Sequence, residues 1–492
     1  MYYKIFTRVS LGLIVALCTP LTKAQTSGFK EAMNQAFERS LEMELADAAV
    51  QKADENVATS YRAWFPEASV NAIGQVSFSN IRGQKQQGIP LESKTNTQDN
   101  TTRGSVELKQ NLYAGGGTRA TMEIRERQMD VATLDYKLAE QKTLLDSLTA
   151  YVNLITEREL LKNEEHNVMF YEKQLSAAEI KFEVGEETIA SVESIRSKLE
   201  GAKAKFLDAK RRLVEAESTY IRFFGALPIS KIELPELPNG LPNSAEEAMK
   251  IALENNLELK KLDRAVDIAK ATVDATYAEL LPTFDLSVTG SRTLGSTIGG
   301  GVEPGRYDRT RTNNATFLAT LRLPLDIRGL SQAKVRAARY AAAEERLKSM
   351  RGRRDYLNAV IANWEKYITH KQTLNRYQAE IKSSKIALDS IQEEYAVGTA
   401  TYLNVIEAEQ QALEAFNNAV SNRRNILLSA YTLLATIGTL SRETLGFDEP
   451  ISFSRDNDAG SLWGTGIGTF NAFDWQSDPV INAYDQFGKK GV

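Results

Sequence analysis

The chain predicts a mixed fold: a membrane β-barrel joined to a long α-helical coiled-coil barrel, with the whole pattern duplicated inside one polypeptide. Three observations predict it. Four short stretches alternate apolar and polar residues with a period of two. Four much longer stretches carry apolar residues at gaps of three and four, a coiled-coil signature. The order of these stretches occurs twice within 492 residues, which marks an internal repeat.

The N-terminus reads as an export signal. Lys4 and Arg8 form its positive region, Leu11 to Leu17 its apolar core, and Thr22-Lys23-Ala24 the small residues that a signal peptidase reads. Cleavage is expected between Ala24 and Gln25. Cys18 is the only cysteine, and bulky Leu17 before it argues against a lipid anchor. The mature chain would then carry no thiol chemistry. A net charge of −4 gives no electrostatic footprint for nucleic acid. A mean hydropathy of −0.34 argues against a bundle of membrane-spanning helices.

The repeat is read from matched landmarks. Glu31-Ala32-Met33 matches Glu247-Ala248-Met249, and the junction at Pro66 matches Pro282, an offset of 282 − 66 = 216. The seam Lys181-Phe182-Glu183-Val184-Gly185 matches Glu394-Tyr395-Ala396-Val397-Gly398, an offset of 397 − 184 = 213. Each seam ends one helical stretch and starts another. Glycine enters left-handed backbone space cheaply, so Val184-Gly185 and Val397-Gly398 read as the turns of two long hairpins. The expected organisation is a signal peptide at 1–24, a first repeat at 25–228, a Pro-rich linker at 229–243, a second repeat at 244–446 and a polar, Gly-rich tail at 447–492.

Within each repeat a short helix (about 28–40 and 244–255) precedes a longer one ending at Pro66 or Pro282, because proline forces the residue before it out of helical space. The period then changes to two. Strands are expected at about 67–80 and 102–113, and at about 283–290 and 312–325. Val70, Ala72, Gly74, Val76 and Phe78 lie on one face of the first, Phe317, Ala319, Leu321 and Leu323 on one face of the last. One apolar and one wet face follow. Residues 82–101 and 291–311 read as long solvated loops. Thr118 and Ser331 read as N-caps of the helices that follow.

The helix from Thr118 to the seam has roughly 66 residues and would span about 100 Å. Its apolar positions run Leu134, Leu138, Gln141, Leu145, Leu148, Val152 and Ile155. Beyond the first turn they run Val192, Ile195, Leu199, Ala202, Phe206 and Ala209 and continue to Tyr220. In the second repeat Leu347, Met350, Arg354, Leu357, Ile361, Trp364 and Ile368 form the corresponding row. The helix after Gly398 carries two rows, one through Ile406, Leu413, Val420 and Leu427, the other through Val405, Ala408, Ala412, Ala415 and Ala419. Two rows on one helix mean neighbours on both sides, as in a wall of helices. Four strands cannot close a barrel, and open edges are forbidden in lipid. Several chains must therefore pool their strands.

The order helix–strand–strand–helix–helix, the Pro66 and Pro282 junctions, the Leu112-Tyr113-Ala114-Gly115-Gly116 joint, the two Val-Gly turns and the Gly225-Ala226-Leu227 and Gly438-Thr439-Leu440 endings resemble the TolC family of outer-membrane channels. The resemblance implies a homotrimer with a twelve-stranded barrel in outer-membrane lipid and a helical tunnel in the periplasm. It also implies two partners, a periplasmic adaptor (membrane fusion) protein and an inner-membrane ABC or proton-driven transporter. The residues themselves offer no cofactor, metal or catalytic constellation: His166 and His370 are lone histidines in helical stretches, and Gly115-Gly116-Gly117 lacks the Lys-Ser/Thr of a phosphate-binding loop. The cargo would be protein in type I secretion, or small toxic molecules in efflux. A soluble periplasmic coiled-coil scaffold would explain the heptads but not the four alternating strands.

The same resemblance places the channel gate near the turns. Two acidic positions after the second Val-Gly fall on Asn404 and Glu407, of which one is acidic here. In a trimer Glu407 would present three carboxylates around one axis, an arrangement that attracts cations. Read without the family, it is a solvated helix-face residue. A tyrosine before the second Val-Gly is present as Tyr395. The family's basic closing residue is replaced by Ala400 and its acidic partner by Ser191. Closure is then expected to rest on packing and hydrogen bonds around Tyr395, with Glu183, Glu186 or Glu187 making the tip acidic. Tyr395 reads equally as a core aromatic.

Overall fold

The computed structural model describes residues 28–82, 94–228, 232–298 and 307–443. The signal peptide with its Ala24/Gln25 cleavage site and the tail at 447–492 lie outside the described residues. The order is α1 (Phe29–Glu38), α2 (Leu41–Arg62), β1 (Glu67–Arg82), β2 (Lys94–Ala114), α3 (Gly117–Glu183) and α4 (Ile189–Phe224), then α5 (Ala245–Asn255), α6 (Leu257–Ala278), β3 (Thr283–Ile298), β4 (Tyr307–Arg322), α7 (Leu330–Ala396) and α8 (Tyr402–Ile437). The two runs have one order. α3 and α7 each have 67 residues, and α4 and α8 each have 36. No described helix is long and apolar enough to cross a membrane.

Helix starts follow the repeat. Ser40 and Asn256 cap α2 and α6, each accepting from the backbone N–H three residues on. Thr188 and Thr401 cap α4 and α8 in the same way. Thr118 and Ser331 are not caps. α3 and α7 begin one residue or more earlier, after Gly116 and Gly329, both left-handed. At α7 the carboxylate of Asp326 accepts from the Gln332 N–H at 2.9 Å. Backbone hydrogen bonds from Gln332, Ser331 and Leu330 hold its carboxyl below the usual range.

The four strands form one antiparallel sheet in the order β1-β2-β3-β4. Val70, Val106, Gly290 and Ala315 stand in register across it. The apolar face is bare, with Val70 79%, Phe78 78% and Phe317 76% exposed. Strand ends differ from the sequence expectation, most of all toward the loops. β2 begins at Lys94 rather than 102, β3 runs to Ile298 rather than 290, and β4 begins at Tyr307 rather than 312. Segments read as loops are therefore partly paired strand. The alternation stops where both faces turn polar, but a backbone ladder needs no apolar face to continue. β4 stops at Arg322 rather than 325, since Pro324 has no N–H to offer. In β2 the register shifts between Asn111 and Tyr113, so Leu112 is the extra residue of a bulge.

The helices form two four-membered walls that share α3 and α7. Beside the sheet the order of contact is α2–α3–α6–α7, and toward the turns it is α4–α3–α8–α7. In α4 the expected row is buried at Val192, Ile195, Leu199, Ala202, Ala209, Ala216 and Tyr220. α8 is buried on both its rows, including Val405, Ile406, Ala408, Ala415, Ala419, Val420 and Leu427, as its place between α3 and α7 requires. The middle of α3 is buried on more than one row: Leu144, Ser147, Tyr151 and Leu154 join Gln141, Leu148 and Val152. α1 and the linker cover the extra face, with Tyr151 Oη donating to the Glu233 carbonyl at 3.2 Å. The α7 row differs most. Leu347 is 66% and Met350 50% exposed, and the buried face holds Val335, Ser349, Val360 and Tyr367 instead. α7 is the edge of both walls, so its apolar row has no cover among the described residues.

Candidate functional site

Both hairpin turns are built by one hydrogen-bond pattern. Gly185 N–H donates to the Phe182 carbonyl and Glu186 N–H to that of Lys181; Gly398 N–H donates to Tyr395 and Thr399 N–H to Glu394. Gly185 and Gly398 have φ of +79° and +81°, a conformation that costs a residue with a Cβ about 1–2 kcal/mol. Val184 and Val397, on the preceding positions, are exposed. Pro66 stands immediately before β1 and Pro282 immediately before β3, after matching turns in which Trp64 N–H bonds to Tyr61 and Leu280 N–H to Tyr277.

Just above the turns the two hairpins share one core. Tyr171, Ala178, Val192, Ile195, Leu199 and Ala202 from the first pack with Tyr402 and Ile406 from the second, and Tyr395 packs against this cluster. Tyr395 and Tyr402 meet edge to face at 5.7 Å between ring centroids. The Tyr402 hydroxyl is buried without a hydrogen-bond partner among the described residues, and burial pushes its pKa up. Lys181 Nζ donates to Tyr395 Oη at 2.8 Å. This contact ties the end of α3 to the end of α7. Lys181 is raised above its ordinary pKa, first by that hydrogen bond.

Of the gate residues read from the sequence, Tyr395 ends α7, and Asn404 and Glu407 lie in the first two turns of α8. Asn404 belongs to a capping box: its amide oxygen accepts from the Thr401 N–H at 3.0 Å and lies in a short contact with the Thr401 hydroxyl. Its side chain is thus committed to its own helix end. Glu407, one turn on, is exposed and makes no ion pair among the described residues. Ser191 and Ala400 line one cleft of about 420 Å³, together with Glu187, Thr188, Tyr395 and Tyr402. The two positions that would hold a charge pair therefore border the same cleft, and neither carries a charge. Glu187 lines the same cleft, and the charges of Glu187 and Glu186 act on Lys181 nearby.

Sequence reading missed Lys181, Tyr402 and Glu409. Lys181 left one trace: Tyr395 carries a hydroxyl where the first repeat has Phe182, and an extra buried polar atom needs a partner. Glu409 is half-buried on α8 and burial raises its pKa; it lies near the Tyr171 hydroxyl. Among the described residues no group of three or more His, Cys, Asp or Glu is arranged to hold a metal ion.

A family model described as outer membrane efflux protein matches residues 32–226 and 248–439. The outer membrane efflux protein BepC of Brucella suis is 25% identical over 84% of this chain and 86% of its own length. The outer membrane protein TolC of Escherichia coli is 23% identical over 73% and 74%. The alkaline protease secretion protein AprF of Pseudomonas aeruginosa is 23% identical over 61% and 62%. Among solved structures, the MtrE outer membrane channel of Neisseria gonorrhoeae aligns with a TM-score of 0.64 at 17% identity, over 90% of this chain and 98% of that one.

Proposed function

We propose, starting from the fact that this chain belongs to the outer membrane efflux protein family, the TolC family, that three copies form one passive exit duct. The protein is an outer-membrane efflux channel whose helical part lies in the periplasm. One observation carries the trimer. Among the described residues every layer ends in an uncovered edge: β1 and β4 in the sheet, α2 and α7 in the wall beside it, α4 and α7 in the wall toward the turns. The edge helices expose apolar side chains, with Leu207, Val214 and Ile221 on α4 at intervals of seven and Leu347 and Met350 on α7. Joining the edges of three chains pairs every strand and places twelve strands in a barrel, above the minimum of about eight. It also covers the bare rows.

The turns then surround the threefold axis, and the gate reading supported by the family gives Glu407 the charged ring. Asn404 sets the start of α8, and Tyr395, held by Lys181, keeps the second hairpin against the first. The exposed tips with Val184 and Val397 would meet a periplasmic adaptor, and an inner-membrane ABC or proton-driven transporter would supply the energy. The finer cargo reading is type I protein secretion, supported by the likeness to AprF, named for alkaline protease secretion. Small-molecule efflux is the second reading, favoured by the likeness to BepC, named an efflux protein. A deletion strain decides between them. Retention of a normally exported protein with unchanged sensitivity to toxic compounds supports secretion; the reverse pattern rejects it.

A further inference from the structure

The outward face of the sheet carries an unusual charge pattern. Register places Val70, Val106, Gly290 and Ala315 on the apolar face, so even positions of β1, β2 and β3 and odd positions of β4 share that face above the bulge. Over the strand residues whose side chains are described, that face holds three charged residues, Arg292, Arg309 and Arg311, and no carboxylate. The opposite face is mixed, with Asp99, Arg103, Glu107, Lys109 and Asp285. Arginine on a lipid-facing position is destabilising at mid-bilayer and tolerated near the interface, so three of one sign on this face belong at headgroup depth, where anionic groups can pair with them.

Register also brings the three together. Arg292 stands opposite Asn313, and Arg311 opposite Leu294. Arg292 and Arg311 are thus diagonal neighbours, about 7–8 Å apart. Arg309 follows Arg311 on the same face of β4, about 7 Å further along. Arg292, Arg309 and Leu294 between them are exposed. None of the three arginines makes an ion pair among the described residues.

Height on the barrel identifies which lipid they meet. The helices leave the sheet at Glu67, Ala114, Thr283 and Arg322, so the opposite end points away from the periplasm. From Leu321 to Arg311 is 321 − 311 = 10 residues. That is about 34 Å along a strand, or about 26 Å of height at a tilt near 40°, close to the apolar band of about 25 Å in outer-membrane barrels. Arg311 and Arg309 therefore emerge at the headgroup level of the outer leaflet. Arg292 lies lower, within reach of that level because its long side chain can extend outward.

We propose that Arg292, Arg309 and Arg311 form a binding patch for the phosphate groups of the outer-leaflet glycolipid. Guanidinium forks bind phosphate oxygens bidentately, and Leu294 beside them offers an apolar contact for an acyl chain. The patch rests on the barrel reading and goes beyond it: it assigns this face a specific lipid.

The test is native mass spectrometry of the purified, detergent-solubilised protein equilibrated with bisphosphorylated lipid A, with its dephosphorylated form, or with phosphatidylglycerol. Wild type should retain the bisphosphorylated form at least tenfold better than either of the others. Arg292→Gln/Arg309→Gln/Arg311→Gln should lose that preference, while Arg103→Gln, on the other face, keeps it. Equal retention of all three lipids by the wild type overturns the proposal, even if the triple variant fails to fold. So does a folded triple variant that behaves like wild type. A wild type that enters membranes and conducts yet ignores phosphate faults the patch alone; one that never enters membranes faults the barrel as well.

Discussion

Lys181 and Tyr395, 214 residues apart in sequence, join the ends of the two longest helices through one hydrogen bond of 2.8 Å. Tyr395 lines the cleft that Ser191 and Ala400 also border, so the pair supplies a link between the hairpins that those small residues do not. Lys181→Met and Tyr395→Phe should each remove about 1 kcal/mol of that link at a partly exposed site. In single-channel recordings both should lengthen open periods, and the double variant should add little to either alone. Fully additive effects would mean that the two residues act separately. Because the Lys181 pKa is raised above its ordinary 10.5, the bond's contribution is complete below that value. It is lost as pH rises past the raised one.

Glu407 offers a second test at the same end. In the proposed trimer its exposed carboxylate would stand three times around one axis, where it should favour cations and bind multivalent ones. Glu407→Ala should reduce cation preference and relieve block by a trivalent cation by roughly tenfold, with no change in thermal stability, as expected of a side chain without an ion pair. Unchanged currents and unchanged block would remove it from the gate.

Two glycines separate backbone strain from crowding. At Gly398 a Cβ would meet nothing within 4 Å, whereas at Gly438 it would lie 2.5 Å from the Asn255 carbonyl oxygen. Both have φ near +80°. Gly398→Ala should cost about 1–2 kcal/mol through φ alone. Gly438→Ala should cost about 1–3 kcal/mol more through overpacking. Urea denaturation of the two variants checks the order; equal losses would deny the close approach of α8 to α5.

Glu409 should make the helical wall sensitive to pH. Burial between the hairpins raises its pKa above 4.5, so the folded protein holds that proton more tightly than the unfolded chain. The resulting stabilisation is full below pH 4.5 and is lost as pH rises through the higher folded value. Glu409→Gln should therefore be more stable than wild type at pH 7 and show a flatter stability profile between pH 4.5 and 7. A variant less stable at pH 7 would contradict this.

Much of the fold was legible because helical period and burial agree where both neighbours belong to the same chain. Val192, Ile195 and Leu199 are the plainest case. The row at Leu347 and Met350 was legible as apolar, but sequence period names no partner, and among the described residues none covers it. The ends of β2, β3 and β4 were not legible, since Gln98, Asn100 and Ser296 are polar on a face whose apolar character had marked the strand. Thr118 and Ser331 were misread as caps because Gly116 and Gly329 start their helices earlier through backbone geometry that leaves no capping residue to read. The Lys181–Tyr395 pair joins positions that are not equivalent in the repeat, so duplication gave no hint of it. Its only trace was the hydroxyl on Tyr395.

The most direct measurement is the number of chains in one detergent-solubilised particle, read by native mass spectrometry. Among the described residues, four strands with bare edges at β1 and β4 and an uncovered apolar row on α7 lead to an expected particle of three chains. A particle of one chain that still conducts in a planar bilayer would contradict a barrel shared between subunits.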